Sequence, residues 1–119
     1  EVNLAHYRVL SAIAAGDERA SRIAARLALG KPTVSAAVEA LSQRGLLERN
    51  EFAGDQRVDA LGLTPEGRAV LQRVEAAMQA WLDGVCARTP DRDQVVRSLA
   101  WLGDAIDAAR AERADEATL

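Results

Sequence analysis

Residue types that commonly carry catalysis or bind metals are scarce in this chain of 119 residues. It has one histidine, His6, and one cysteine, Cys86, which are too few for a closed zinc site. The carboxylates are scattered at helical surface spacing, and nothing pairs a nucleophile with a base. A glycine-rich phosphate loop is also missing. We therefore expect the chain not to be an enzyme and to bind no cofactor and no metal.

His6 and Cys86 each have a structural interpretation beside a functional one. His6 lies next to Tyr7 in a predicted helix, so a packed or solvated side chain is favoured over contact with a ligand. Cys86 is a candidate redox sensor, but it lies near the C-terminal end of a predicted helix. That position disfavours the reactive thiolate, although Arg88 is near. We favour a structural role for both residues.

Another set of polar residues has the chemistry to contact nucleic acid. A helix is predicted from Pro32 to about Arg44, and its apolar residues form one stripe, which makes the opposite side face outward. Ammonium, hydroxyl and amide groups on such a face can bind base edges or phosphates. The net charge of the chain is −3, so contact with DNA has to come from local placement of basic residues. The outward positions are Lys31, Thr33, Ser35, Ala36, Glu39, Ala40 and Gln43, and the apolar stripe is Val34, Ala37, Val38 and Leu41.

The elements around this helix follow a recognisable order. Helices are predicted at 4–15 and 20–27, and a tight turn at 29–31 takes its backbone freedom from Gly30. Two strands, at 46–52 and 57–63, flank a turn at 53–56. The order of helix, short helix, turn, helix and hairpin is that of a helix-turn-helix with a wing, mainly α with a small β-hairpin. On the first helix, Leu4, Tyr7, Leu10, Ile13 and Ala14 recur at helical spacing.

Two long helices are predicted after the hairpin. Thr64, Pro65 and Glu66 combine an N-cap, a proline and an acid in the first turn, so a helix begins there and runs to about Ala87. A last helix is predicted at 93–110, and the tail at 111–119 is expected to fray.

Large apolar residues on these two helices indicate an interface. Met78, Trp81 and Val85 lie at helical spacing, and we interpret them as part of a dimer interface, with a ligand pocket as the alternative. Trp101 lies off the apolar stripe of its own helix. It is either an anchor of that interface or an ordinary surface or core tryptophan.

Three stretches of the sequence together resemble the MarR family of bacterial regulators. They read AARLALGKPTVSAAVEALSQRGLLERN, GDQR and LTPEGRAVL, and the resemblance extends over roughly residues 4–110. It implies a winged-helix DNA-binding region at 1–63 and a helical dimerisation region at 64–119, within one compact domain. It also implies an obligate homodimer that acts as a repressor on a palindromic operator in double-stranded DNA. A small anionic or phenolic ligand would modulate the DNA affinity.

The resemblance assigns roles to individual residues. Ser21 matches a phosphate contact, and Lys31, Thr33 and Ser35 match contacts of the recognition helix. Arg57 matches the wing arginine that probes the minor groove, and Asp55 matches the acid that steadies it. Ala36 and Gln43, from the outward face, complete the predicted DNA-binding set.

The chain departs from the family pattern in two places. Positions 36 and 40 are usually basic in the family but are Ala36 and Ala40 here, so we expect a weaker or more apolar readout of bases. The family normally has another helix before Leu4, which helps dimerisation.

Alternative functions remain open at this stage. The rival hypothesis is a winged helix used for dimerisation or protein contact without DNA binding, and the neutral charge balance of residues 17–68 supports it. A fragment of a larger enzyme is a third, since the chain begins at Glu1 rather than Met. The single cysteine and the lack of a long apolar run favour a cytoplasmic protein without membrane contact.

Overall fold

The computed structural model describes residues 2–17, 19–52 and 55–118, and within these it leaves the side chains of 51, 52, 55–59 and 118 undescribed. The described residues form a mainly helical fold with one antiparallel two-stranded hairpin, as predicted. They divide into two compact units, Glu1–Ala76 and Ala77–Leu119. The elements are α1 (Leu4–Ala14), α2 (Ala20–Leu27), α3 (Lys31–Gln43), β1 (Leu47–Phe52), β2 (Asp55–Leu63), α4 (Pro65–Cys86) and α5 (Arg92–Thr118).

The core of the first unit is built from α1, α2, α3, the base of the hairpin and the start of α4. Helix α3 buries the four residues predicted for its inner stripe, and α2 buries Ile23 and Ala24. The same core takes in Leu46, Leu47, Leu61, Leu63 and Leu71. Burial of one side of α3 leaves its other side free for contact.

The buried face of α1 includes only part of the apolar set that recurs at helical spacing. Its buried residues are Val9, Leu10, Ala12 and Ile13, whereas Leu4 is 71% exposed and Ala14 is exposed. Leu4 and Ala14 therefore share the helical spacing of the predicted set but lie outside the buried face. Helical periodicity explains this, because Val9 and Ala12 provide a second apolar set at helical spacing. The buried face is centred between Val9 and Ile13, which turns Leu4 to the opposite side.

The turn between α2 and α3 places its left-handed residue at an unexpected position. Ala28 has φ 53° and caps α2, and the N–H of Leu29 donates to the carbonyl of Ala24 at 3.1 Å. Gly30 instead has φ −65° and ψ 148° and serves as the N-cap of α3. The prediction that Gly30 supplies the freedom of this turn was wrong, since the left-handed geometry falls on an alanine two residues earlier.

A Schellman motif ends α3. Gly45 has φ +73°, and its N–H donates to Ser42 at 3.0 Å, while the N–H of Leu46 donates to Leu41 at 2.9 Å. The left-handed position favours glycine, and the apolar pair Leu41 and Leu46 is buried beside it. The chain leaves α3 in a fixed direction and enters the hairpin.

The hairpin pairs β1 with β2 from Leu47↔Leu63 to Glu51↔Asp59, and its register shifts between Glu51 and Phe52. Strand β2 begins at Asp55, two residues before the predicted start. The tip of the predicted turn, residues 53 and 54, lies outside the described residues.

In the second unit, α5 is longer than predicted. It continues to Thr118, so the prediction of a frayed tail from 111 was wrong. After Gly103 the helix has neither glycine nor proline and is rich in alanine, the best helix former, which explains the extension. None of the described helices is both long and apolar enough to cross a membrane.

Candidate nucleic-acid interface

The outward face of α3 is exposed over most of its length. Six of the seven predicted outward residues are exposed, and Ala40 is partly buried. With about 3.6 residues per turn, Ala36 lies about 150° around the helix from the centre of the buried stripe, and Gln43 about 170°. Ala36 and Gln43 therefore occupy the middle of the exposed face.

A surface groove runs beside this face. Its volume is about 580 Å³, and it brings together Thr33 and Ala36, two of the residues predicted to contact DNA. One lining residue, His6, has its Nδ1 atom buried, with no hydrogen-bond partner in the part of the chain that the structure describes. The lining residues are Asn3, Ala5, His6, Pro32, Thr33, Ala36, Ala37 and Ala40.

Glu39 links the outward face of α3 to the hairpin. The sequence did not predict this contact. Its carboxylate accepts a hydrogen bond from the Gln43 side chain at 3.2 Å and lies 4.0 Å from the Arg49 guanidinium of β1. Both partners of this ion pair are about half exposed or more, so it contributes little to stability. The spacing of Glu39 and Gln43, four residues apart on a helix, is the signal that would have indicated their bond.

Two arginines fix the short helix against its neighbours. Arg8 of α1 donates to the carbonyl of Leu27 at the end of α2, at 2.9 Å. Arg26 of α2 forms a 2.9 Å ion pair with Asp17 in the turn before it. Ser21, the predicted phosphate contact, is exposed in the first turn of α2. Lys31 and Ser35 are exposed on α3.

For the residues predicted to act in the wing, Asp55 and Arg57, the structure describes only the backbone. Asp55 and Arg57 belong to β2, and their side chains lie outside the described residues. Their predicted roles stay predictions.

The predicted dimer residues are exposed in the single chain. Trp81 is 68% exposed and Trp101 is 59% exposed, and Met78 and Val85 are also exposed. Met78 and Trp81 border a small apolar cavity of about 330 Å³ with Ala77 and Leu82. Cys86, by contrast, is buried.

The chain matches the family model for the MarR family over residues 1–58, which covers the helix-turn-helix and most of the hairpin. This part, just under half of the chain, is similar to the MarR family. Members of this family are transcription regulators rather than enzymes. None of the curated proteins matches the chain.

Solved structures of MarR-family regulators share its fold. CouR, a transcriptional repressor bound to a 23-mer DNA duplex, is 28% identical with a TM-score of 0.73, and the match covers 89% of this chain and 75% of that one. PcaV from Streptomyces coelicolor, in complex with its natural ligand, is 27% identical with a TM-score of 0.67, covering 92% and 77%. Staphylococcus aureus MarR, in complex with salicylate and kanamycin, is 24% identical with a TM-score of 0.74, covering 91% and 73%.

Proposed function

We propose that this chain is a homodimeric repressor of the MarR family that binds a palindromic operator and whose DNA affinity is modulated by a small molecule. The observation that carries the proposal is the two-sided character of α3. One side supplies four residues to the core, while the other is exposed and has hydroxyl, amide and ammonium groups. A helix held in this way fits the major groove of B-DNA. Such a repressor would act in the cytoplasm, where its DNA lies.

The DNA-binding set we propose follows α2, α3 and β2. Ser21 contacts a phosphate, α3 contributes Lys31, Thr33, Ser35, Ala36 and Gln43, and Arg57 of the wing enters the minor groove, steadied by Asp55. CouR, bound to a DNA duplex and 28% identical, supports this use of the fold. An arginine gains most where the minor groove is narrow and its potential most negative.

The homodimer is supported by apolar surface on the second unit. Large side chains of α4 and α5 that a folded protein normally buries are exposed in the single chain. Clustered apolar surface marks a protein interface in soluble proteins, and Met78, Trp81 and Leu82 of α4 line one apolar pocket. We propose that a second copy covers Met78, Trp81, Val85 and Trp101, and that the dimer presents two α3 helices about one turn of DNA apart, roughly 34 Å.

Modulation by a ligand requires that the ligand favour one state of the dimer over another. A compound that binds better to a dimer whose two α3 helices no longer match the operator spacing would release the DNA. PcaV, 27% identical and solved with its natural ligand, supports the binding of a ligand by this fold. We propose a small anionic or phenolic compound, which a screen of such compounds against the preformed protein–DNA complex would identify by the loss of binding.

Binding to DNA from the upstream region of the chain's own gene tests the proposal. Because phosphate contacts release counterions, the affinity should fall steeply and log-linearly as salt rises. Arg57→Ala should weaken binding several-fold and lower the salt slope by about one. The matched control, Arg113→Ala on the exposed end of α5, should change neither quantity. The absence of binding to any upstream fragment at low salt would contradict the proposal.

One observation supports the alternative function, a winged helix that contacts only proteins. The centre of the outward face of α3 holds Ala36 and no basic residue. The same salt titration separates the two, since a protein-contact module would bind DNA neither tightly nor with a steep salt dependence.

A further inference from the structure

We infer that Ala36, with Thr33 beside it, selects thymine in the operator by contact with the methyl group of the base. The inference rests on the proposed function, because it describes how the same face of α3 would distinguish one base from another.

The geometry makes Ala36 central to any contact between α3 and a base. It is exposed, and it lies near the middle of the outward face, opposite the stripe that α3 buries in the core. The neighbouring surface is small and largely apolar, since Pro32, Thr33 and Ala40 line the same groove as Ala36. No long side chain of these four holds the helix away from the floor of a DNA groove.

No polar side chain of α3 at the centre of its outward face is available for strong hydrogen bonds to a base edge. The helix has no arginine, and its one lysine, Lys31, is its first residue. Glu39 and Gln43 are bonded to each other, and Glu39 also lies beside Arg49. A bidentate contact from arginine to guanine is therefore not available from α3 itself.

Of the four bases, thymine is the one with which the methyl side chain of Ala36 can make a methyl–methyl contact in the major groove. Thymine carries its C5-methyl group in the major groove, where alanine and the threonine methyl make apolar contact with it. Uracil has the same hydrogen-bonding pattern and lacks only that methyl group. Burial of one such group corresponds to roughly a fourfold change in affinity.

The test is uracil substitution in an operator first located by footprinting with the full chain. Each thymine of one half-site is replaced in turn by deoxyuridine, and affinities are measured for the unmodified chain, for Ala36→Gly and for Ala14→Gly. Ala14 is an exposed alanine on α1, so its replacement removes a methyl group from a helix surface away from the proposed contact. The readout is the ratio of affinities on thymine and uracil DNA, which does not depend on the fraction of active protein.

We expect one thymine per half-site at which uracil weakens binding about three- to fourfold for the unmodified chain and for Ala14→Gly. For Ala36→Gly the ratio at that position should fall to about one, while binding of the DNA persists. A ratio of one at every thymine, or a ratio that survives in Ala36→Gly, would overturn the inference and leave the proposed function standing. Failure of the unmodified chain to bind any DNA would overturn both.

Discussion

The hydroxyl of Thr64 donates a 2.6 Å hydrogen bond to the carbonyl oxygen of Gly45, at the point where the chain leaves α3. The same hydroxyl accepts a bond from the N–H of Gly67 at 3.0 Å and so caps the start of α4. The backbone N–H of Thr64 donates to Leu46 at 3.1 Å, across the base of the hairpin. Thr64 thus joins the end of α3, the base of the hairpin and the start of α4.

Replacement of Thr64 by alanine should destabilise the protein by about 1–2 kcal/mol. The change removes the N-cap of α4 and leaves the Gly45 carbonyl without this partner. Urea unfolding of both proteins measures the difference. Thr33→Ala, at an exposed position on α3, is the control and should alter the unfolding free energy by no more than about 0.5 kcal/mol. Equal midpoints for Thr64→Ala and the unmodified chain would refute the role of this contact.

Gly67 and Gly84 lie on the same helix and should respond to alanine in opposite ways. A Cβ at Gly67 would collide with the backbone carbonyl of Leu46, whereas a Cβ at Gly84 meets nothing within 4 Å. Gly67→Ala should therefore lower the thermal midpoint strongly, since backbone has to move. Gly84→Ala should stabilise the single chain by up to about 1 kcal/mol, through helix propensity. Thermal unfolding by circular dichroism tests both, and a tolerated Gly67→Ala would contradict the close approach.

Replacement of Ala28 by glycine should increase the stability of the protein. Its φ of 53° costs an ordinary L-residue about 1–2 kcal/mol, and glycine adopts it freely at a smaller entropic cost in the unfolded chain. We expect Ala28→Gly to stabilise the protein by roughly 0.5–1 kcal/mol. The matched variant Ala25→Gly, inside α2, should destabilise it by up to about 1 kcal/mol. Destabilisation by both changes to a similar extent would show that Ala28 is not left-handed.

Replacement of Trp81, the more exposed of the two tryptophans, by a charged residue should disrupt the proposed dimer interface. Trp81→Glu puts a carboxylate into apolar surface that we propose the partner chain covers, so the dimer should dissociate into monomers. Light scattering after size-exclusion chromatography measures the mass directly. Gln72→Glu, at an exposed position earlier on α4, should leave the mass unchanged. A dimer that persists in Trp81→Glu would remove this residue from the interface.

Elements with strong local signals were predictable from the sequence. The inner stripe of α3 follows from helical spacing alone, and Thr64 with Pro65 begins α4 because capping and proline geometry act within a few residues. Two features were not predictable in this way. Ala28 is left-handed because the Schellman turn after α2 falls there, at a residue that gives no glycine signal. Leu4 is exposed because tertiary packing chose one of two apolar faces on α1.

The site was predictable to a smaller extent than the fold. Exposure of the outward residues follows from the buried stripe of α3, but the bond between Glu39 and Gln43 and the proximity of Arg49 depend on rotamers and on where β1 lies. The groove beside Ala36 depends on how α1 and α3 pack together. Such contacts between elements have no local signature in the sequence.

Protection of Ser35 by DNA shows whether the exposed side of α3 lies against the duplex, as we propose. Ser35→Cys is prepared together with Cys86→Ala, so that a single exposed thiol on α3 reacts with iodoacetamide, and the rate is followed with and without saturating operator DNA. We expect that DNA nearly abolishes alkylation at position 35, while Ala14→Cys in the same background reacts at its free rate. Unchanged alkylation at position 35 in a protein saturated with DNA would contradict it.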